Sequence, residues 1–210
     1  MPRVRKIQRK PTGRNFYLVD ANFLANRFIP LARVTDAAER QRVQRSMDWW
    51  REIDAQLASG HAFVYVPDLC IAEAFKVLAK KYYVDRYFRR SVDHKNAREG
   101  LSNFLKVSPR TLRASKRNVK VHDISTSRDI IISVDRFNEV FLKHRLSASV
   151  VDALILATAK YLIDFFHLPA KQLHIITLDN HLWRGSKKIA EIPTAFNPNA
   201  PSEVASKVFV

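Results

Sequence analysis

Phe16-Tyr17-Leu18-Val19-Asp20 and Leu173-His174-Ile175-Ile176-Thr177-Leu178-Asp179 are two apolar runs that each break off at an aspartate. Runs rich in Val, Ile and aromatic residues read as buried strands. In an open parallel sheet the carboxyl ends of the strands border the ligand crevice. Two strands ending in Asp therefore aim two carboxylates at one cleft. A single strand-end Asp is usually a turn or helix cap; the pair calls for a functional account as well.

Around these runs, strand and helix patterns alternate. Asn22 to Arg33 reads as a helix or broken turn stopped near Pro30. Asp36 to Leu57 is an amphipathic helix with Val43, Met47, Trp50 and Leu57 on its apolar side. Ala62 to Val66 is a strand ended by Pro67, and Asp68 suits the N-cap of a helix carrying Ile71, Phe75, Leu78 and Tyr82. A short strand lies around Val119 to Ile124, and Thr126-Ser127-Arg128-Asp129 opens a helix to Lys143. Val150 to Phe166 is a helix apolar nearly all round, and a last strand lies near Pro193 to Phe196. The pattern predicts an α/β fold with a mainly parallel central sheet. The expected organisation is a basic arm over 1–14, one domain over 15–197 and a loosely held tail over 198–210. A basic helical insertion is expected at about 80–120.

Composition narrows the chemistry. The chain has 210 residues, 47% of them hydrophobic, enough for a real core. Its 4 Gly are far apart, which removes Gly-rich phosphate-loop and dinucleotide-binding motifs. The one cysteine, Cys70, excludes an intrachain disulfide and a Cys-based zinc cluster and fits a reducing cytoplasm. Val150 to Phe166 is interrupted by Asp152, Lys160 and Asp164 and is too short for a membrane span. The formal net charge of +16 calls for a polyanionic partner, with nucleic acid the leading candidate and a membrane surface second. Much of that charge lies between Lys80 and Lys120, where Arg89, Arg90, Lys116 and Arg117 are interleaved with Tyr82, Tyr83, Tyr87, Phe88 and Phe104. Basic groups neutralise phosphates and aromatic faces stack bases. The aromatics read rather as the core of a helical insertion, while the collective charge reads as a nucleic-acid surface.

Asp152 stands in Ser149-Val150-Val151-Asp152-Ala153-Leu154-Ile155-Leu156-Ala157-Thr158-Ala159, where an unpaired carboxylate would cost several kcal/mol. A metal, an Arg partner or an opening onto a polar cleft must compensate it. Glu73 lies beside the apolar stripe of its helix and taken alone reads as a solvated glutamate. Oxygen-only ligation by Asp20, Glu73, Asp152 and Asp179 suits Mg²⁺ or Mn²⁺. In a basic protein such a site points to phosphodiester chemistry. Spacing alone does not group these acids. Asp68 reads as a cap, and His122 and His174 as core histidines.

Four segments, in order, carry a resemblance: Tyr17-Leu18-Val19-Asp20-Ala21-Asn22, Pro67-Asp68-Leu69-Cys70-Ile71-Ala72-Glu73, Val151-Asp152-Ala153-Leu154-Ile155-Leu156-Ala157-Thr158-Ala159 and Ile176-Thr177-Leu178-Asp179. Together they resemble the PIN-domain nucleases, the fold of the VapC-type ribonuclease toxins, over roughly Phe16 to Phe196. The resemblance implies a three-layer α/β/α sandwich and metal-dependent cleavage of single-stranded or structured RNA by water. It maps Asp20, Glu73, Asp152 and Asp179 as catalytic, metal-binding carboxylates, with Asn22 and Thr177 orienting ligands or water. Asn22 stands where many members carry Ser or Thr. The family admits an antitoxin partner and a homodimer, although this chain is longer than the compact toxins. The competing readings are a non-cleaving PIN-like module that binds RNA or protein, and a DNA-directed nuclease.

Overall fold

The computed structural model of the protein describes residues 13–105 and 120–203. Lys116 and Arg117, most of the N-terminal arm and the end of the C-terminal tail lie outside them. β1 (Asn15–Val19) leads into a short α1 (Ala21–Asn26), and α2 (Ala37–Ser59) into β2 (Ala62–Pro67). Next come α3 (Asp68–Tyr83), α4 (Ser91–Leu105) and β3 (Val121–Ile124). A helical pair, α5 (Arg128–Lys143) and α6 (Val150–Asp164), precedes β4 (Leu173–Ile176), α7 (Asn180–Lys188) and β5 (Ala195–Phe196).

All paired strands run parallel, in the order β3–β2–β1–β4–β5. The chain steps outward from β1 in one direction through β2 and β3, and in the other through β4 and β5. The order therefore reverses between β1 and β4. In doubly wound sheets that switch point opens a crevice beyond the strands' carboxyl ends. Asp20 follows β1 directly and Asp179 stands three residues beyond β4, so both belong to that end of the sheet.

Apolar burial explains why the strands are continuous hydrophobic runs. Tyr17, Leu18, Val19, Ile175 and Ile176 are fully buried, as expected for a sheet covered on both faces. Helix α2 starts at Asp36, whose carboxylate accepts from the Glu39 N–H, and stops at Gly60, which takes the left-handed conformation (φ 76°). Its Trp50 stacks on Phe23 at 4.8 Å and donates from Nε1 to the Phe23 carbonyl, tying α2 to α1. Arg27 lies over Trp50 and Phe104 and bonds both carboxylate oxygens of Asp54. It is a structural arginine.

Three expectations are corrected. β4 ends at Ile176 rather than Leu178, because Thr177 and Leu178 turn their hydrogen-bonding groups to β5 and to Asp20. Asp68 is the first residue of α3, and Pro67 occupies the cap without a side-chain bond. The described start of the tail is anchored: Glu203 accepts from Trp183 Nε1 and the Asn197 N–H and pairs with Lys187 at 3.0 Å. Within the basic segment α3 ends at Tyr83, 84–90 form an irregular connection that carries Arg89 and Arg90, and α4 packs on α3. Tyr87 and Phe88 are buried and Phe104 packs edge-on to Trp50, whereas Tyr83 is exposed. His174 is buried in the sheet, which pulls its pKa down to about 4 and keeps the ring neutral.

Gly185 is a point of close approach between α7 and α5. A Cβ there would stand 2.7 Å from the ring of Phe141, which is almost fully buried and cannot swing away. Gly185→Ala is expected to lower unfolding free energy by about 1–3 kcal/mol through overpacking. Urea denaturation measures this, and the same change in a Phe141→Leu background should cost less.

Candidate active site

Asp20 is the best-determined group of the site. It caps α1, its Oδ1 accepting from the Phe23 N–H at 2.6 Å. Its Oδ2 accepts from the Thr177 hydroxyl at 2.6 Å and the Leu178 N–H at 2.8 Å. Three donors thus converge on a carboxylate that is only 5% exposed. Burial nevertheless dominates and lifts its pKa to about 6; the three hydrogen bonds pull the other way, and the charge of Asp152 adds to the rise.

Thr177, itself fully buried, joins two acids. Its Oγ1 donates to Asp20 and accepts from the Asp179 N–H at 2.9 Å. Asp179 then caps α7, its Oδ1 accepting from the His181 and Leu182 N–H groups at 2.6 and 3.0 Å. Asp152 enters from α6. Its Oδ2 accepts from the backbone N–H and hydroxyl of Ser149, while its own N–H donates to Ser149 Oγ, a reciprocal capping box. Burial raises the Asp152 pKa most; the Ser149 bonds oppose it, nearby Asp179 raises it further and His181 lowers it.

The same electrostatic field reaches Cys70. Burial first, then the charges of Asp20, Glu73 and Asp152, push its thiol up, and the Ala21 N–H partly offsets them. Cys70 is consequently a buried, inert thiol that marks the proximity of three of the acids. Glu73 is half-buried one turn along α3. Asn22 is exposed on α1. The structure therefore brings Asp20, Thr177, Asp152 and Asp179 together through bonds and mutual charge, with Glu73 alongside. Sequence reasoning missed Ser149, although Ser-x-x-Asp is a legible capping signature. It supplies a compensation for buried Asp152 besides the metal, Arg partner or polar cleft considered from sequence.

Among the described residues no three His, Cys, Asp or Glu side chains are gathered closely enough to enclose one metal ion. Mg²⁺ does not require such a cage: it keeps several waters and binds through one or two carboxylates and substrate phosphate. The donors here are all carboxylate oxygens in mutual repulsion, a set that suits a hard divalent cation.

Arg89 and Arg90 flank the start of α4, away from the acids in sequence. With Arg27, Arg33, Phe28 and Phe88 they line an open groove of about 1090 Å³. Arg90 is held by Asp93 at 2.9 Å, while Arg89 has no ion-pair partner among the described residues. No helix among the described residues is long and apolar enough to cross a membrane.

Comparison with solved structures finds the same fold. The chain matches one in the crystal structure of FitAcB from Neisseria gonorrhoeae with a TM-score of 0.51 and 16% identity, over 87% of this chain and 97% of that one. It matches one in the structure of FitAB bound to an IR36 DNA fragment with a TM-score of 0.53 and 16% identity, over 89% and 98%. The chain has the PIN-type α/β fold. No protein-family model and no curated protein matches the sequence.

The raised pKa of Asp20 fixes the sign of a pH effect. The folded state holds a proton there that the unfolded chain releases near its ordinary value, so stability is present at low pH and falls as pH rises. In EDTA, unfolding free energy should drop between about pH 4 and about pH 6 by roughly 3 kcal/mol from this group. Asp20→Asn should flatten that slope, as read from urea midpoints across the range.

Proposed function

We propose that the protein is a metal-dependent endoribonuclease that hydrolyses RNA phosphodiester bonds at the switch-point crevice. The observation that carries this reading is the coupled set of acids at the carboxyl ends of β1 and β4. Buried Asp20 is held against its own desolvation by three donors, Asp152 lies within electrostatic reach of it, and Asp179 within reach of Asp152. A fold does not collect repelling carboxylates for stability alone.

In this reading Asp20 and Asp152 hold Mg²⁺ or Mn²⁺, with Glu73 and Asp179 completing the negative field. Once bound, the cation neutralises charge at the scissile phosphate and lowers the pKa of a water nucleophile. Thr177 fixes the orientation of the Asp20 carboxylate, and Ser149 that of Asp152, by the hydrogen bonds each makes. Asn22, exposed on α1, is available to orient water or substrate. Arg89 and Arg90, with Arg33, line a groove suited to the phosphates of a single strand; Lys116 and Arg117 extend the same proposal. The basic arm over 1–14 and the insertion at about 80–120 are assigned to substrate capture. The likeness to chains of the FitAcB and DNA-bound FitAB structures supports a protein partner of the antitoxin kind, with self-association into a homodimer and a cytoplasmic location as parts of the same reading.

Two experiments test it. With Mg²⁺ or Mn²⁺, the wild type should cleave a mixed RNA panel in preference to single-stranded DNA, and EDTA should stop it. Asp20→Asn and Asp152→Asn should each lose at least about 100-fold in rate while still binding RNA; full activity of Asp152→Asn would remove it from the site. Separately, Arg89→Glu with Arg90→Glu should weaken RNA binding and reduce its salt slope by about 0.7 for each phosphate no longer neutralised. An unchanged slope would take this groove out of the substrate path.

A further inference from the structure

A second cavity, of about 430 Å³, is lined in part by chain neighbours of two of the acids. Its volume is within the usual range for small-molecule sites. Asn22 lies two positions after Asp20, and Leu178 and Asn180 flank Asp179. Leu178 belongs to both sites, since its N–H donates to Asp20 while its residue lines the cavity.

The lining is rich in side-chain amides. Asn197 is 1% exposed and acts as a brace: its Nδ2 donates to Asn180 Oδ1 at 3.0 Å, and its Oδ1 accepts from the Asn199 N–H at 2.9 Å. The Asn199 carbonyl is in turn held by Arg45, and Asn197 itself by Glu203. The two braced amides are left with complementary capacity. Asn180 uses only its oxygen, which leaves Nδ2 to donate. Asn199 Oδ1 is buried and has no hydrogen-bond partner among the described residues. Such an acceptor is costly in a folded protein unless a ligand or water completes it. In the same wall Lys81 is paired with Glu39 and Asp85, and Arg42 with Glu39, so the open capacity of the cavity lies in its amides.

We propose that this cavity is a nucleobase-recognition subsite, taking one unpaired base of the strand whose phosphodiester lies across Asp20 and Asp152. Asn180 and Asn199, linked through Asn197, offer one donor and one acceptor in the same wall, and carboxamides read base edges with such groups. The proposal rests on the nuclease reading for its substrate. The nuclease reading explains cutting; this subsite gives the cut a preferred base.

The test is equilibrium binding in EDTA, where cleavage is absent. Fluorescence anisotropy with eight-residue oligo(A), oligo(C) and oligo(U) RNAs should show the tightest and weakest differing by about 10-fold for the wild type. Asn180→Ala and Asn199→Ala should each shrink that spread to within about 3-fold with the salt slope retained, since phosphate contacts are untouched. Asn180 Oδ1 braces buried Asn197, so Asn180→Asp, which keeps that acceptor and loses the Nδ2 donor, is measured beside the alanine variants and should shrink the spread likewise. Equal affinity for all three RNAs, or a preference that survives both substitutions, overturns the subsite. Cleavage with Mg²⁺ is scored independently. Cutting without base preference overturns the subsite and leaves the nuclease reading; asparagine-dependent preference without cutting retains the subsite and overturns the nuclease reading.

Discussion

The Thr177 hydroxyl is the interaction on which the site depends. It donates to Asp20 at the end of β1 and accepts from the backbone of Asp179 beyond β4. One buried oxygen thereby ties together the two strands between which the sheet reverses direction. Parallel pairing of β1 with β4 sets the register, with Val19 opposite Ile176, and Thr177 continues that connection where the ladder stops. Because Thr177 is fully buried, its hydroxyl must be satisfied internally, and the two partners it finds are both in the site.

The acids serve as helix caps and as a cluster, and the two roles have the same physical origin. Asp20, Asp152 and Asp179 each accept from N–H groups at a helix start. Helix N-termini attract negative charge, and a doubly wound fold brings several of them to one end of the sheet. For Asp20 the donors do not overcome burial, which lifts its pKa to about 6. A binding cation would relieve what the caps leave unbalanced.

The large positive charge divides into paired and open groups. Arg27 is locked between aromatic rings and Asp54, and Lys81 bonds Glu39 and Asp85. These cations hold α1, α2 and α3 to their neighbours. Arg33 and Arg89 are exposed in the groove instead. A charge total in a sequence cannot make this distinction, because it depends on which acids the fold brings near.

Sequence by itself determined the strand-end aspartates, the alternation of strand and helix, the apolar side of α2 and the burial of Asp152. Each follows from local periodicity or from the cost of one group in an apolar stretch. The Ser149 capping box is also written in the sequence, within one helical turn of Asp152, and is easily overlooked beside longer-range compensation. Tertiary structure alone decided what stands beside what. It set β1 between β2 and β4, ended β4 at Ile176 so that Leu178 could bond Asp20, and pinned Asn197 and Asn199 through Glu203 and Arg45. The segment from 198, rich in Pro and Asn, reads locally as loose chain. Its described part, 198–203, contributes Asn199 to the wall of a cavity because its partners lie on α2 and α7, and no local pattern encodes a contact whose two halves are separated by as many as 154 residues.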